Sequence, residues 1–358
     1  MNFNFIASQV LFQIEKSMRK YVIALFFTVL FYGIQHNSKA QDPQFSQFYA
    51  APLFLNPAFA GSTELTRIGA NYRNQWPGIN ANFVTYSAYF DHYFMDYNSG
   101  VGLLLLGDRE SNAGIALNGV SLQYAYNLRL TQNLAFRAGL EANYTWRSID
   151  YTRLVFGDQL DFTGIVNDQT GEVLSGGNVS YFDMAAGGLL YSDRFWMGFA
   201  AHHILQPNQS FLGEDDPLPR KYSVHAGFKI PLPTRTDLRY ENGFRERSLT
   251  PTVNYKMQGE FQQLDIGMYF TNEPLVLGLS YRGLPIQNVE GVANNESLIF
   301  ILGYTMNGLN IGYSFDYTLS SLGIGTGGAH EVSISYTFFM GDPRKPPKNV
   351  RQIPCPKF

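Results

Sequence analysis

The chain has 358 residues, a formal net charge of −3, and 15% charged residues against 45% hydrophobic and 15% aromatic ones. Soluble domains carry roughly 25% charge and nucleic-acid binders need a basic face, while the single cysteine, Cys355, excludes an intramolecular disulfide, a zinc cluster and a thioredoxin-type pair. A mean hydropathy of −0.14 is too polar for a bundle of membrane helices; 34 glycines, 23 tyrosines and 29 phenylalanines with so few charges fit a transmembrane β-barrel, though a large soluble β protein has similar statistics.

Residues 1–40 read as an export segment. Met18, Arg19 and Lys20 form a basic start, Tyr21 to Ile34 is an apolar run, and Ser38-Lys39-Ala40 is a small-x-small cleavage site. The apolar run is shorter than the roughly 20 residues of a spanning helix. The expectation is a signal peptide starting at Met18 and removed after Ala40, without a lipid anchor, since no cysteine follows.

Residues 41–61, QDPQFSQFYAAPLFLNPAFAG, are of another kind. Pro43, Pro52 and Pro57 rule out a continuous helix or a central strand. Phe45, Phe48, Tyr49, Phe54 and Phe59 are too apolar for a disordered leader. The segment is expected to be ordered, with Asn56-Pro57 making a turn before Phe59 and Gly61, and to pack into or across the periplasmic mouth of the barrel.

From residue 62 to residue 340 the pattern is alternation. Leu134 to Trp146, Leu309 to Leu319 and Val332 to Phe338 place an apolar residue at every second position with polar or small residues between, giving each strand one oily and one wet face. Such segments number about fourteen, at 65–73, 82–91, 99–109, 118–129, 133–148, 180–191, 195–203, 220–230, 249–258, 261–270, 275–282, 296–305, 309–319 and 330–339. The fold class is therefore all-β, an antiparallel outer-membrane barrel with both termini on the periplasmic side, short turns there and longer loops outside. Ile149–Val179, Ile204–Pro219, Gly283–Asn295 and Ser320–Ala329 are the expected outer loops. Two connections break this rule, the long Pro231–Ser248 and the short one at Gly259, and one misplaced strand near residues 235–260 would account for both. The inner face carries both signs: Arg67, Arg73, Arg137, Arg147, Lys229, Lys256 and Arg282 against Glu141, Asp265, Asp316 and Glu331. Mixed signs suit internal ion pairs or a plug better than a selective pore.

No constellation of catalytic type stands out, so no enzyme, cofactor or metal is expected. His202 and His203 are adjacent on a strand, face opposite sides and cannot chelate one metal. Gly323 to Gly328 lacks the lysine of a phosphate loop and reads as a flexible external turn. Residues 341–358 form a basic, proline-rich tail, with Arg344, Lys345, Lys348 and Arg351 as candidate contacts for a periplasmic partner.

The N-terminal stretch, then Arg73-Asn74-Gln75-Trp76-Pro77, Gly328-Ala329-His330-Glu331-Val332-Ser333 and the Cys-Pro-Lys-Phe end together resemble the PorP/SprF family of Bacteroidetes outer-membrane proteins. The resemblance implies an integral barrel linked to the type IX secretion system, with Arg73, Gln75, Trp76, His330 and Glu331 as family-motif positions. It implies partners among periplasmic, lipoprotein or gliding components, and a secreted surface protein, such as an adhesin, held through the external loops. The alternative is an outer-membrane channel or porin-like transporter for small solutes.

Overall fold

Fourteen strands close into one antiparallel barrel in a computed structural model of the chain. It describes residues 42–340 except 113, 163, 166, 168–169, 172–175, 234–245, 290–291 and 321–322, together with 353–356. The export segment lies outside the described residues, as do Arg344, Lys345, Lys348 and Arg351 of the tail.

The staves are β1 (Thr66–Gln75), β2 (Phe83–Phe94), β3 (Ser99–Glu110), β4 (Ile115–Arg129), β5 (Ala135–Ser148), β6 (Asn178–Tyr191), β7 (Phe195–His202), β8 (Lys221–Phe228, resumed at Ile230–Pro231), β9 (Arg247–Gln258), β10 (Phe261–Asn272), β11 (Leu275–Val289), β12 (Val292–Met306), β13 (Leu309–Thr318) and β14 (Ala329–Phe338). Each pairs with its neighbours in sequence, and β1 pairs with β14 from Thr66↔Phe338 to Gln75↔Ala329. Closure leaves no sheet edge, which hydrocarbon would not tolerate.

The alternation decides which face is which. Leu122, Leu140 and Phe199 point outward and are 63%, 57% and 57% exposed, whereas Ser121 and Gln123 beside Leu122 are buried inside. In water, so many exposed large apolar side chains would each cost about 1.5–3 kcal/mol. On a surface bathed in lipid they are at home, and the barrel is a transmembrane one.

The suspected miscount does not exist. β8 pairs directly with β9, Lys221↔Gln258 to Gly227↔Thr252. The strand number and parity stand, so the tight Gly259–Glu260 turn and the long connection before β9 are real exceptions to the loop-length rule. A second expectation fails at 283–295: β11 and β12 continue past the wall as a bulged hairpin, pairing Gly283↔Asn295, Leu284↔Asn294, Asn288↔Ala293 and Val289↔Val292. Polar residues there look like a loop by composition, yet a hairpin beyond the bilayer needs no oily face.

The odd-to-even connections lie at what we term the loop end. The even-to-odd connections, the entry to β1 and the exit from β14 lie at the turn end. An arginine at the lipid midplane costs about 2–4 kcal/mol, so Leu122→Arg should lower unfolding stability in lipid vesicles by that amount. The transmembrane assignment fails if denaturant unfolding in vesicles shows no loss.

Candidate functional site

The lumen is occupied by the chain's own N-terminal segment. Phe45, Phe48, Tyr49, Leu53, Ala58, Phe59 and Ala60 are all buried. The prolines shape this segment: Pro52 opens the single helical turn α1 (Pro52–Leu55) and Pro57 opens a 3-10 turn ending at Phe59. Asn56 caps that second turn, its Oδ1 accepting from Ala58 N at 2.9 Å, while its Nδ2 donates to Phe199 O at 2.9 Å and Gly188 O at 3.2 Å. One amide thus forms the expected Asn56-Pro57 turn and fixes it to β6 and β7.

Three wall glycines make room for this turn. A Cβ on Gly139 would lie 2.3 Å from Ala58 N, one on Gly187 2.0 Å from Asn56 Oδ1, and one on Gly100 2.0 Å from Ala60 O. Gly61, at φ +68°, turns the segment toward β1 and donates its N–H to Asp91 Oδ2 at 2.9 Å. Arg137 donates Nε to Ala58 O at 3.0 Å and Nη2 to Ala60 O. Aromatic contacts continue the fit: Phe59 stacks on His225, Phe45 meets Phe54 edge-on, and Trp196 Nε1 donates to the Tyr49 hydroxyl at 3.0 Å.

Higher in the lumen the contacts are ionic. Ser46 N and Gln47 N donate to the two oxygens of Glu331 at 2.6 and 3.0 Å. Ser46 Oγ donates to Asp316 Oδ2 at 2.5 Å and accepts from Arg73 Nη1 at 2.5 Å and Arg282 Nη2 at 3.1 Å. Arg73 also pairs with Asp316 at 3.0 Å and Glu331 at 3.4 Å, and Arg282 with Asp265 at 2.7 Å. Gln47 closes the cluster through Glu331 O and Ser333 Oγ. Breaking a buried pair by removing one partner costs about 3–5 kcal/mol; the Arg73–Glu331 pair braces β1 against β14, and the bonds of both residues to Ser46 and of Glu331 to Gln47 tie the plug to it.

The other motif positions lie at the rim. Gln75 Oε1 accepts from Arg73 Nη2 at 3.1 Å. Trp76, at φ +59°, packs edge-on against Phe83 and donates its N–H to Gly328 O at 2.7 Å. Gly78 N donates to Thr326 O at 2.9 Å, so the Gly323–Gly328 stretch is held against the β1–β2 loop and is not simply a flexible turn. His330 faces outward, its Nδ1 2.8 Å from the Tyr313 hydroxyl, and is no part of the buried cluster.

Two expectations need correction. The segment was placed at one mouth, but its contacts run the length of the lumen, from Asp91 and Arg137 near the turn end to Arg73, Asp316 and Glu331 near the loop end. The basic, proline-rich composition of 341–358 suggests a tail hanging into the periplasm, yet Ile353, Pro354 and Pro356 are buried, and Ile353 joins the cluster that holds Phe48, Tyr49 and Trp196. Its apolar Ile-Pro-Cys-Pro stretch is the sequence signal for this burial.

Long loops rise from the opposite end to β1's start. In the β5–β6 loop, the Gly171 N–H, 2.6 Å from Asp158 Oδ2, and the Thr170 hydroxyl hold the Asp158 carboxyl below its ordinary range. Phe162 is fully exposed at the tip of a hairpin pairing Leu160↔Ile165. The β7–β8 loop is tied inward by Arg147 Nη1, which donates to Gln209 Oε1 at 2.7 Å. His203 Nδ1 lies 2.6 Å from Asp183 Oδ2; among the described residues no three His, Cys, Asp or Glu side chains are grouped to hold a metal.

A family model described as type IX secretion system membrane protein PorP/SprF matches residues 37–336. No curated protein matches. Similar solved structures include the Pseudomonas putida toluene transporter TodX, 13% identical over 80% of this chain and 93% of that one with a TM-score of 0.44. A Pseudomonas aeruginosa FadL homologue is 12% identical over 81% and 94% with a TM-score of 0.43, and Acinetobacter baumannii Omp33 is 9% identical over 77% and 98% with a TM-score of 0.41.

Any side chain at Gly139 must push the Asn56–Gly61 turn off the wall. Gly139→Leu should therefore expose residues 44–61 to proteinase K while the barrel stays intact. Gly157→Leu, with open space around it, should leave them protected as in the parent. Equal protection in both variants would contradict the cradle.

Proposed function

The chain belongs to the PorP/SprF family of type IX secretion system membrane proteins, and from that premise we propose that it is a closed outer-membrane scaffold for export or surface attachment of a secreted partner. The observation that carries this reading is the occupied lumen. A solute channel needs an open path, and here the path is filled by buried Phe48, Leu53 and Phe59, with Ser46 clamped between two arginines. What acts must then be the surfaces.

In this reading the loop end faces outside the cell. The β5–β6 and β7–β8 loops, with exposed Val155, Leu160, Phe162, Leu205 and Leu212, contact the secreted protein. Isolated exposed apolar residues are ordinary, but five on two neighbouring loops make a surface that a partner would cover. The turn end faces periplasmic and lipoprotein components of the secretion or gliding machinery, for which Arg344, Lys345, Lys348 and Arg351 are the candidate contacts. The protein performs no reaction of its own, and nucleic acid is not a partner.

Affinity capture from cross-linked membranes tests this. It should bring down secretion components and one secreted surface protein. Phe162→Ser with Leu212→Ser should cut recovery of the surface protein roughly tenfold, as loss of a central aromatic contact does, without lowering barrel yield. Recovery of porin-like neighbours alone would contradict the proposal.

A further inference from the structure

We infer that the N-terminal segment leaves the barrel at the loop end, so that the processed amino terminus belongs to the same face as the long loops. This rests on the orientation proposed above, and it opposes the expectation that both termini are periplasmic.

The polar contacts of Gly61, Ala58, Leu53, Ser46 and Gln44 climb from the turn end to the loop end, while the Tyr49 side chain reaches back to Trp196, one residue from the turn end of β7. Gly61 bonds Asp91, three residues from the turn end of β2, and Ala58 O accepts from Arg137, two residues from the turn end of β5. Leu53 O accepts from Gln123, in the middle of β4. Ser46 reaches Arg73, Asp316 and Glu331, each two residues from the loop end of its strand. Gln44 goes no lower: its Oε1 accepts from Lys256 Nζ at 3.3 Å, two residues from the loop end of β9, and its Nε2 donates to Glu296 Oε1 at 3.0 Å. The Glu296 side chain is already 38% exposed, which marks the rim.

Length and packing agree. Ten-residue staves tilted as in such barrels stand about 25 Å high. The residues from 44 to 61, one turn of them helical, cover that height with slack, since extended chain spans about 3.3 Å per residue. A return to the turn end would need a second passage through a lumen where Phe48, Leu53 and Phe59 are already buried against the wall. The parity of the strands fixes where β1 begins, and the segment before it crosses to the other side.

Single-cysteine labelling tests this. Cys355→Ser removes the only cysteine of the chain. On that background Pro43→Cys, Leu212→Cys in the β7–β8 loop and Arg194→Cys in the β6–β7 turn are each exposed to a membrane-impermeant maleimide, in intact and in permeabilised cells. Cysteines at 43 and 212 should label as fully in intact cells as in permeabilised ones, and the one at 194 only after permeabilisation. Protection at 43 in intact cells, with 212 labelled, overturns the inference and leaves the orientation standing. Protection at 212 with 194 labelled overturns the orientation and the exterior terminus with it. Labelling at 43 only after unfolding also overturns it. Should Pro43→Cys fail to give a heat-modifiable barrel, an epitope inserted before Pro43 and read by antibody on intact cells gives the same two outcomes.

Discussion

Arg73 and Arg282 are buried inside the barrel with Asp265, Asp316 and Glu331 around them, and the hydroxyl of Ser46 stands among them. Such a cluster is stable only when each charge has both an opposite charge and hydrogen bonds to satisfy its remaining atoms. The wall supplies the charges. The N-terminal segment supplies a hydroxyl to Asp316 Oδ2 and two backbone N–H groups to the two oxygens of Glu331. Wall and segment are therefore one structure, and neither is a finished unit alone.

That dependence explains the composition of the segment. From Gln44 to Gly61 its hydrogen bonds to the wall come from Gln44, Ser46, Gln47, Tyr49, Asn56 and its own backbone, all uncharged, so this stretch adds no further ion to an already charged lumen. Tyr49 and Phe59 fill the lower lumen beside Trp196 and His225, Phe45 and Phe54 pack nearer the loop end beside Lys221, and the glycines of β3, β5 and β6 receive the turn at Asn56–Gly61. The chain itself fills the channel, and Ile353 joins the same buried cluster.

Much of the fold was legible in the sequence. Lipid outside and polar groups inside impose a period of two, and every one of the fourteen staves shows it in residues such as Leu122, Ser121 and Gln123. The facing of Arg73, Arg137, Arg282, Glu141 and Glu331 followed from the same period. The course of the segment did not. It joins no ladder, so no periodicity reports its partners, and Ser46 meets Glu331 across 285 positions of sequence. The 283–295 hairpin was hidden for a related reason: beyond the bilayer no oily face marks a strand. In the tail, Arg344 and Lys345 suggest water, while the three buried residues, Ile353, Pro354 and Pro356, come later.

The central claim is that the chain closes its own lumen. Single-channel recording of the intact, purified protein in planar bilayers tests it most directly. A barrel filled from Gln44 to Gly61 should insert and pass no steady current, whereas steady, large unitary currents from the intact protein would contradict the closed-scaffold account.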